Sequence, residues 1–114
     1  MATITPVKSS PAWNIEQVFW ETLTDADTAT EIQPAGLSPI FGAVQFVGTI
    51  GTAVTLQVSN NGTNWVTLND KDGTAISTGT SGAMFEFSTA ARYIRPGTPT
   101  GTSDVDVTLI LRNQ

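Results

Sequence analysis

The sequence contains neither cysteine nor histidine. Without cysteine it has no disulfide and no thiolate, and without histidine it lacks the base of Ser-His-Asp and Cys-His catalysis and the usual zinc ligands. The paired aspartates, such as Asp70 and Asp72, are typical of turns and fall short of a calcium-binding loop. We therefore expect a protein that is not an enzyme, with no catalytic residue, no metal and no cofactor.

Positive charge and long apolar runs are also scarce. Five basic residues stand against ten acidic ones, for a net charge of −5, which argues against nucleic-acid binding because that needs clustered Lys and Arg. No apolar run approaches the ~18–20 residues of a membrane span. The N-terminus lacks the charged and apolar regions of a signal peptide. We expect no nucleic-acid partner, no membrane, and synthesis in the cytoplasm.

What the chain does contain favours β structure. Its 114 residues suit one domain, and 19 of them are threonine, which is common in strands. Charged residues make up 13%, against about 25% in typical soluble domains, and a low-charge surface suits contact with neighbouring molecules. Proline and serine between Pro6 and Pro11 predict an extended N-terminal arm over residues 1–12, either frayed or lying on a neighbouring subunit. Residues 13–114 are predicted to form a single domain.

The clearest pattern is a β-hairpin over residues 53–68. Apolar and polar side chains alternate along its first strand, with Val54, Leu56 and Val58 on one face. Asn60-Asn61-Gly62 predicts a tight turn, and Trp65 to Leu68 form the return strand.

Similar alternation of apolar and polar residues along the rest of the chain predicts about eight or nine short strands in total, with turns every 8–12 residues. The last strand is the most regular, with Val105, Val107, Leu109 and Leu111 alternating with other residues. The fold predicted is all-β, an antiparallel β-sandwich of the jelly-roll or Greek-key type.

Two segments carry more apolar surface than one buried face needs. Ile40 to Val47 is apolar on both faces, so it is either central or covered by another molecule. In the aromatic segment that follows the arm, Ile15 and Phe19 fall on one face and Trp20 on the other, which provides area for a core or an interface. The candidate residues for an oligomer or capsid interface are Trp13, Ile15, Phe19, Trp20 and Phe41.

Two motifs carry a family resemblance. The hairpin Val58-Ser-Asn-Asn-Gly-Thr-Asn-Trp65, followed by Ala91-Arg-Tyr-Ile-Arg95, resembles structural β-sandwich proteins of tailed-bacteriophage particles, over about residues 43–112. The resemblance implies a capsid decoration (cement) protein that binds the major capsid protein on the outside of the shell and stabilises it. It also implies a virion location after synthesis in the host bacterium, and a homo-oligomer, with a trimer favoured by the local threefold positions of icosahedral shells.

Related motifs occur in galactose-binding-like sandwiches, which leaves a second hypothesis open. In this alternative the chain is a carbohydrate-binding module of a tail fibre or adsorption apparatus, with Trp65 and Tyr93 stacking on sugars. A tryptophan beside a hairpin turn more commonly closes the end of the core.

Overall fold

The structure, a computed structural model, describes residues 2–12, 15–34 and 40–113, and all regular elements among them are strands. The predicted all-β fold is confirmed. The ten strands are β1 (Ala2–Ile4), β2 (Val7–Ala12), β3 (Ile15–Thr24), β4 (Asp27–Ala29), β5 (Ile40–Thr49), β6 (Leu56–Ser59), β7 (Val66–Thr67), β8 (Ala83–Thr89), β9 (Tyr93–Pro96) and β10 (Asp104–Asn113). No helix able to cross a bilayer occurs among the described residues.

Two antiparallel sheets form the body of the sandwich. The larger has five strands in the order β2-β3-β10-β5-β8, and the smaller has three in the order β7-β6-β9. Strand β10 lies at the centre of the larger sheet and pairs along its whole length with β5. A separate parallel pair joins β1 to β4.

The core lies between the two sheets, where the alternating apolar residues of each strand meet. The buried set draws from both sheets, with Val44, Val107 and Leu109 from the larger one and Leu56 and Ile94 from the smaller. The largest fully buried side chain is that of Trp20 on β3, whose indole Nε1 donates a hydrogen bond to the carbonyl oxygen of Thr30 at 2.9 Å. This bond satisfies the one polar atom of a large apolar side chain.

The hairpin predicted over residues 53–68 is present as β6 and β7. Val54, Leu56 and Val58 are all buried, as their alternation predicted. The Asn60-Asn61-Gly62 turn is held by its own side chains, since Asn61 Oδ1 accepts bonds from the backbone nitrogens of Thr63 and Asn64. Local sequence therefore determines both the strand faces and the reversal here.

The segment predicted to be an arm is extended over its described residues and pairs within its own chain. Strand β2 lies at one edge of the larger sheet against β3, and β1 lies beside β4. Its extended conformation follows from the prolines and serines, whereas composition does not reveal that it pairs with β3 and β4.

A bulge interrupts the pairing of β3 with β10 between Val105 and Val107. Thr22, on the bulged strand, has a φ of 55°, which is uncommon for a β-branched residue. Its backbone nitrogen donates to Asp106 Oδ1 at 2.9 Å. The extra residue keeps both Trp20 and Leu23 pointing into the core across an odd spacing.

Asp70 and Asp72 lie in the tight turn that follows β7. Oδ1 of Asp70 accepts hydrogen bonds from the backbone nitrogens of Asp72 at 2.9 Å and Thr74 at 3.0 Å. The Asp70 carboxylate thus closes its own turn, which is the usual role of aspartate in such loops.

Candidate functional site

The outward-facing side of the five-stranded sheet forms one candidate surface, which we call the large face. In antiparallel sheets, directly paired residues lie on the same face. The register aligns Phe19 with Val7 and Thr108, and Thr108 with Gln45, which in turn pairs with Met84. Thr108 lies between the buried Val107 and Leu109, so this row of five side chains points away from the core.

A second row on the large face lies four residues away along β3. It pairs Ile15 with Arg112, Arg112 with Phe41, and Phe41 with Ser88. Between the two rows lies a third, which includes Ile110. The large face therefore carries apolar side chains from all five strands.

Exposure of large apolar side chains is concentrated on the large face. Five such side chains are exposed among the described residues, and four of them belong to this face: Val7 at 65%, Phe41 at 42%, Val47 at 51% and Met84 at 64%. The fifth, Val66, lies on β7 of the other sheet. A sheet face that carries most of the exposed large apolar side chains is a candidate interaction site.

Three of the predicted interface residues, Ile15, Phe19 and Phe41, are brought together on the large face. Trp20 is not among them, because its side chain is 0% exposed and lies in the core. An interface role for Trp20 is therefore corrected to a core role, since β3 turns its Val18–Trp20 face inward. Trp13 lies outside the described residues.

Residues that the sequence did not single out also lie on the large face. Val7 and Met84 are each 64–65% exposed, and each belongs to an edge strand of the sheet. Whether these two residues lie on the large face depends on which strands pair in the sheet, and the sequence does not reveal that. For one exposed residue, Val47, the sequence does indicate an outward apolar side chain, because Val47 lies in the β5 segment that is apolar on both faces.

A shallow depression of about 320 Å³ lies on the large face. It is lined by Phe41, Gly42, Ala43, Glu86, Ile110 and Arg112. Glu86 also forms an ion pair with Lys71 at 3.8 Å, but both side chains are more than 60% exposed, so the pair adds little stability. The lining of the depression thus combines apolar residues with one acidic and one basic side chain.

The outward side of the three-stranded sheet forms a second candidate surface, which we call the small face. It carries Gln57 on β6, Tyr93 and Arg95 on β9, and Trp65 at the start of the return strand. Gln57 lies between the buried Leu56 and Val58, and Arg95 pairs directly with Gln57. These side chains therefore face away from the core.

Arg95 is held in place by two neighbours on the small face. Its guanidinium carbon lies 4.0 Å from the centroid of the Trp65 ring, and its Nε donates to Gln57 Oε1 at 3.1 Å. Burial lowers the pKa of Arg95 below its ordinary value, and the nearby Glu31 carboxylate opposes that shift. Arginine still remains charged at neutral pH, so the small face presents a fixed positive charge.

A second arginine lies over the second aromatic ring. The guanidinium carbon of Arg92 is 4.9 Å from the centroid of Tyr93. Trp65 and Tyr93, the predicted sugar-stacking residues, therefore do share one face, and each has a guanidinium over its ring. Trp65 is half-buried and outside the core cluster, so the interpretation that it closes the end of the core is wrong.

Neither face offers an evident metal site. Among the residues that the structure describes, no three His, Cys, Asp or Glu side chains converge. What the arrangement can do is bind: through apolar contact on the large face, and through charge and hydrogen bonds on the small face.

The chain is thus a small β-sandwich with one outward face on each of its two sheets. The SPBc2 prophage-derived protein YomS has a similar structure, with a TM-score of 0.63 and 12% sequence identity over 92% of this chain and 100% of YomS. At that identity the likeness establishes the shared fold. No protein-family model and no curated protein sequence matches the chain.

A weaker structural likeness is to chitosan-binding module 1 from a chitosanase/glucanase of Paenibacillus sp. IK-5. Its TM-score is 0.42 at 17% identity, over 95% of this chain and 76% of the module.

Proposed function

We propose that this chain is a non-enzymatic structural protein of a phage particle, of the capsid decoration type, and that the large face binds the shell. The observation that carries the proposal is the concentration of exposed apolar side chains on the large face. The similarity in fold to a prophage-derived protein supports the phage context. The partner is the assembled major capsid protein, and the location is the outside of the virion.

The size of the large face favours binding to a repetitive surface. With strands ~4.8 Å apart and residues ~3.4 Å apart, five strands by the Phe41–Val47 length cover roughly 19 × 20 Å, or about 400 Å². A stable pairwise interface usually needs about 800 Å² on each partner. One copy would therefore bind weakly, whereas an oligomer on a shell lattice gains from multivalency. A homotrimer at local threefold positions fits this requirement.

Stabilisation of the shell then follows from mass action. A protein that binds the assembled shell and not its free subunits shifts the equilibrium toward assembly. No bond is made or broken, so the proposal needs no catalytic group.

The test is co-sedimentation with empty shells assembled from the major capsid protein of the same genome. We expect the protein to sediment with shells, and Phe41→Lys to weaken binding by about tenfold or more, because a charge would be desolvated in the contact. Val66→Lys is the control, since Val66 is also an exposed apolar residue (64%) but lies on the other sheet.

Two outcomes would overturn the proposal. One is a protein that stays in the supernatant at all concentrations and is monomeric by analytical ultracentrifugation. The other is an equal effect of Phe41→Lys and Val66→Lys, which would remove the large face from the contact. Circular dichroism of each variant establishes that the fold is intact.

The small face favours a second candidate function, carbohydrate binding. Its specific observation is the grouping of the half-buried Trp65, Tyr93 and Arg95 on one outward face beside the Asn-rich turn. Binding on a glycan array that is lost in Trp65→Ala, with the fold intact, would support this function. An array with no signal for the unmodified protein would contradict it.

A further inference from the structure

The turn beside the small face has its amide oxygens already in use. Asn60 Oδ1 accepts a hydrogen bond from the backbone nitrogen of Arg92 at 3.0 Å. Asn61 Oδ1 accepts from the backbone nitrogens of Thr63 and Asn64, both at 2.9 Å. A backbone N–H can only donate, so the atom that faces it must be the amide oxygen. The Nδ2 groups of Asn60 and Asn61 make no hydrogen bond to any described residue.

The same division holds for the two side chains at the centre of the small face. The Nε–H of Arg95 can only donate, so the Gln57 atom that it contacts at 3.1 Å is the oxygen. The Nε2 of Gln57 and the Nη groups of Arg95 make no hydrogen bond within the described part of the chain. Glu31 is the acidic group that acts on Arg95, but no ion pair between them is formed at 4.0 Å or less.

The geometry leaves the Arg95 fork open. The Nε of Arg95 is bonded to Gln57, and its guanidinium carbon lies over the Trp65 ring, 4.0 Å from the centroid. The two Nη groups form the end-on fork that binds a carboxylate through two parallel hydrogen bonds. Because one hydrogen bond and one ring contact already restrain the guanidinium, less side-chain entropy is lost when such a ligand binds.

Charge on the small face has the opposite sign to that of the whole chain. Arg92 and Arg95 are two of only five basic residues in a chain of net charge −5, and both are held over rings of this one face. Beside them lies one carboxylate, that of Glu31, which acts on Arg95. The amide and guanidinium groups left free here are hydrogen-bond donors, and two cations against this one carboxylate leave the local charge positive. A complementary ligand is anionic and rich in acceptor oxygens.

We propose that the small face binds an acidic polysaccharide, with a sugar carboxylate on the Arg95 Nη fork. Nδ2 of Asn60 and of Asn61 donates to oxygens of the adjoining sugar units. A sugar chain suits the site better than an acidic peptide because neutral amide donors lie beside the cations here, and an acidic sugar carries hydroxyl oxygens beside its carboxylate. The inference rests on the carbohydrate-binding function proposed above and adds the charge class of the sugar.

The experiment measures binding of the whole protein to immobilised oligomers of galacturonate, guluronate and sialic acid. Each acidic oligomer is compared with its carboxyl-reduced, neutral counterpart of the same length. We expect binding to at least one acidic oligomer, at least tenfold weaker binding to its reduced form, and weakening with added salt. Arg95→Gln should weaken binding by about 10- to 100-fold, and Arg95→Lys should not restore it, because lysine lacks the fork.

The matched control is Lys71→Gln. It also removes one positive charge, but from the turn after β7, where Lys71 pairs with Glu86. If Lys71→Gln and Arg95→Gln weaken binding equally, the effect is one of net charge and the site assignment is overturned. Thermal unfolding of each variant establishes that the fold is retained.

The outcomes separate this inference from the function on which it rests. Binding to neutral oligomers only, lost in Trp65→Ala, overturns the acidic ligand and leaves carbohydrate binding in place. If the protein binds neither acidic nor neutral oligomers, both the acidic-polysaccharide inference and the carbohydrate-binding function are overturned. Polyglutamate bound as tightly as the acidic sugars would overturn the preference for a polysaccharide and indicate an acidic protein partner.

Discussion

Gly42 on β5 offers a sharp test of how tightly the larger sheet packs against its own core. A Cβ added at this position would lie 2.7 Å from Cζ of Phe87 and 2.8 Å from the backbone oxygen of Ile110. Phe87 pairs directly with Gly42 across β5 and β8, so its ring occupies the space that a side chain at position 42 would fill. Real Cβ atoms do not approach so closely, so Gly42→Ala forces the backbone or the ring to move.

The magnitude follows from two opposing effects. Inserting a methyl group into a packed site costs about 1–3 kcal/mol. The loss of glycine's freedom in the unfolded chain favours alanine by about 0.4–1 kcal/mol. We expect Gly42→Ala to lower the free energy of unfolding by about 1–2 kcal/mol, because the Ile110 oxygen belongs to the central strand and cannot shift alone. For a domain of this size the melting temperature should fall by about 4–8 °C.

Equilibrium unfolding in urea, followed by tryptophan fluorescence, measures this change. Gly79→Ala is the matched control, because a Cβ there meets no atom within 4 Å, and its stability should equal or exceed that of the unmodified protein. In the double variant Gly42→Ala/Phe87→Leu the two effects should not add, since the smaller side chain relieves the contact. A Gly42→Ala protein as stable as the original would refute the packing argument.

Two further predictions concern β3. Trp20→Phe removes the indole donor from the Thr30 carbonyl and leaves a gap in a fully buried site. The free energy of unfolding should therefore fall by about 2–4 kcal/mol. A fall of less than about 1 kcal/mol in urea unfolding would contradict the core role of Trp20. Thr22→Gly relieves a φ of 55° at an exposed bulge position, where strain of about 1–2 kcal/mol exceeds the entropic cost of glycine, about 0.5–1 kcal/mol. Its melting temperature should therefore rise by a few degrees, whereas Thr22→Ala should bring no such gain, and a lower melting temperature for the glycine variant would count against strain.

The sequence predicted those features that depend on local alternation. The strands around Leu56 and around Leu109 were predicted with their buried faces, because a period of two assigns alternate residues to opposite sides. The turn after β6 was predicted from Asn61 and Gly62, whose chemistry suits a reversal. These features need no knowledge of the rest of the chain.

The features that the sequence did not predict correctly depend on contacts between residues far apart in the chain. Alternation placed Phe19 and Trp20 on opposite faces of β3, but nothing local indicates which face meets the core. The interpretation of Trp65 as a core residue failed for the same reason. Its partner on the small face, Arg95, lies 30 residues later in the chain, so nothing near Trp65 in the sequence indicates their contact. The position of β10 between β3 and β5 likewise joins segments separated by more than 50 residues.

The scarcity of charge has a definite location in the structure, and this bears on both proposals. In the middle of the large face, the outward positions on the central strands are Thr108, Gln45 and Ala43, where an ordinary solvated sheet would carry lysine or glutamate. Charged residues of β10 on this face, such as Asp106 and Arg112, lie towards the two ends of the strand. Such depletion is typical of surfaces that become covered. The small face, on the opposite side of the core, instead collects two of the five cations. Because the core separates the two faces, the two proposals are compatible: a shell bound to the large face would leave the small face open to an acidic polysaccharide.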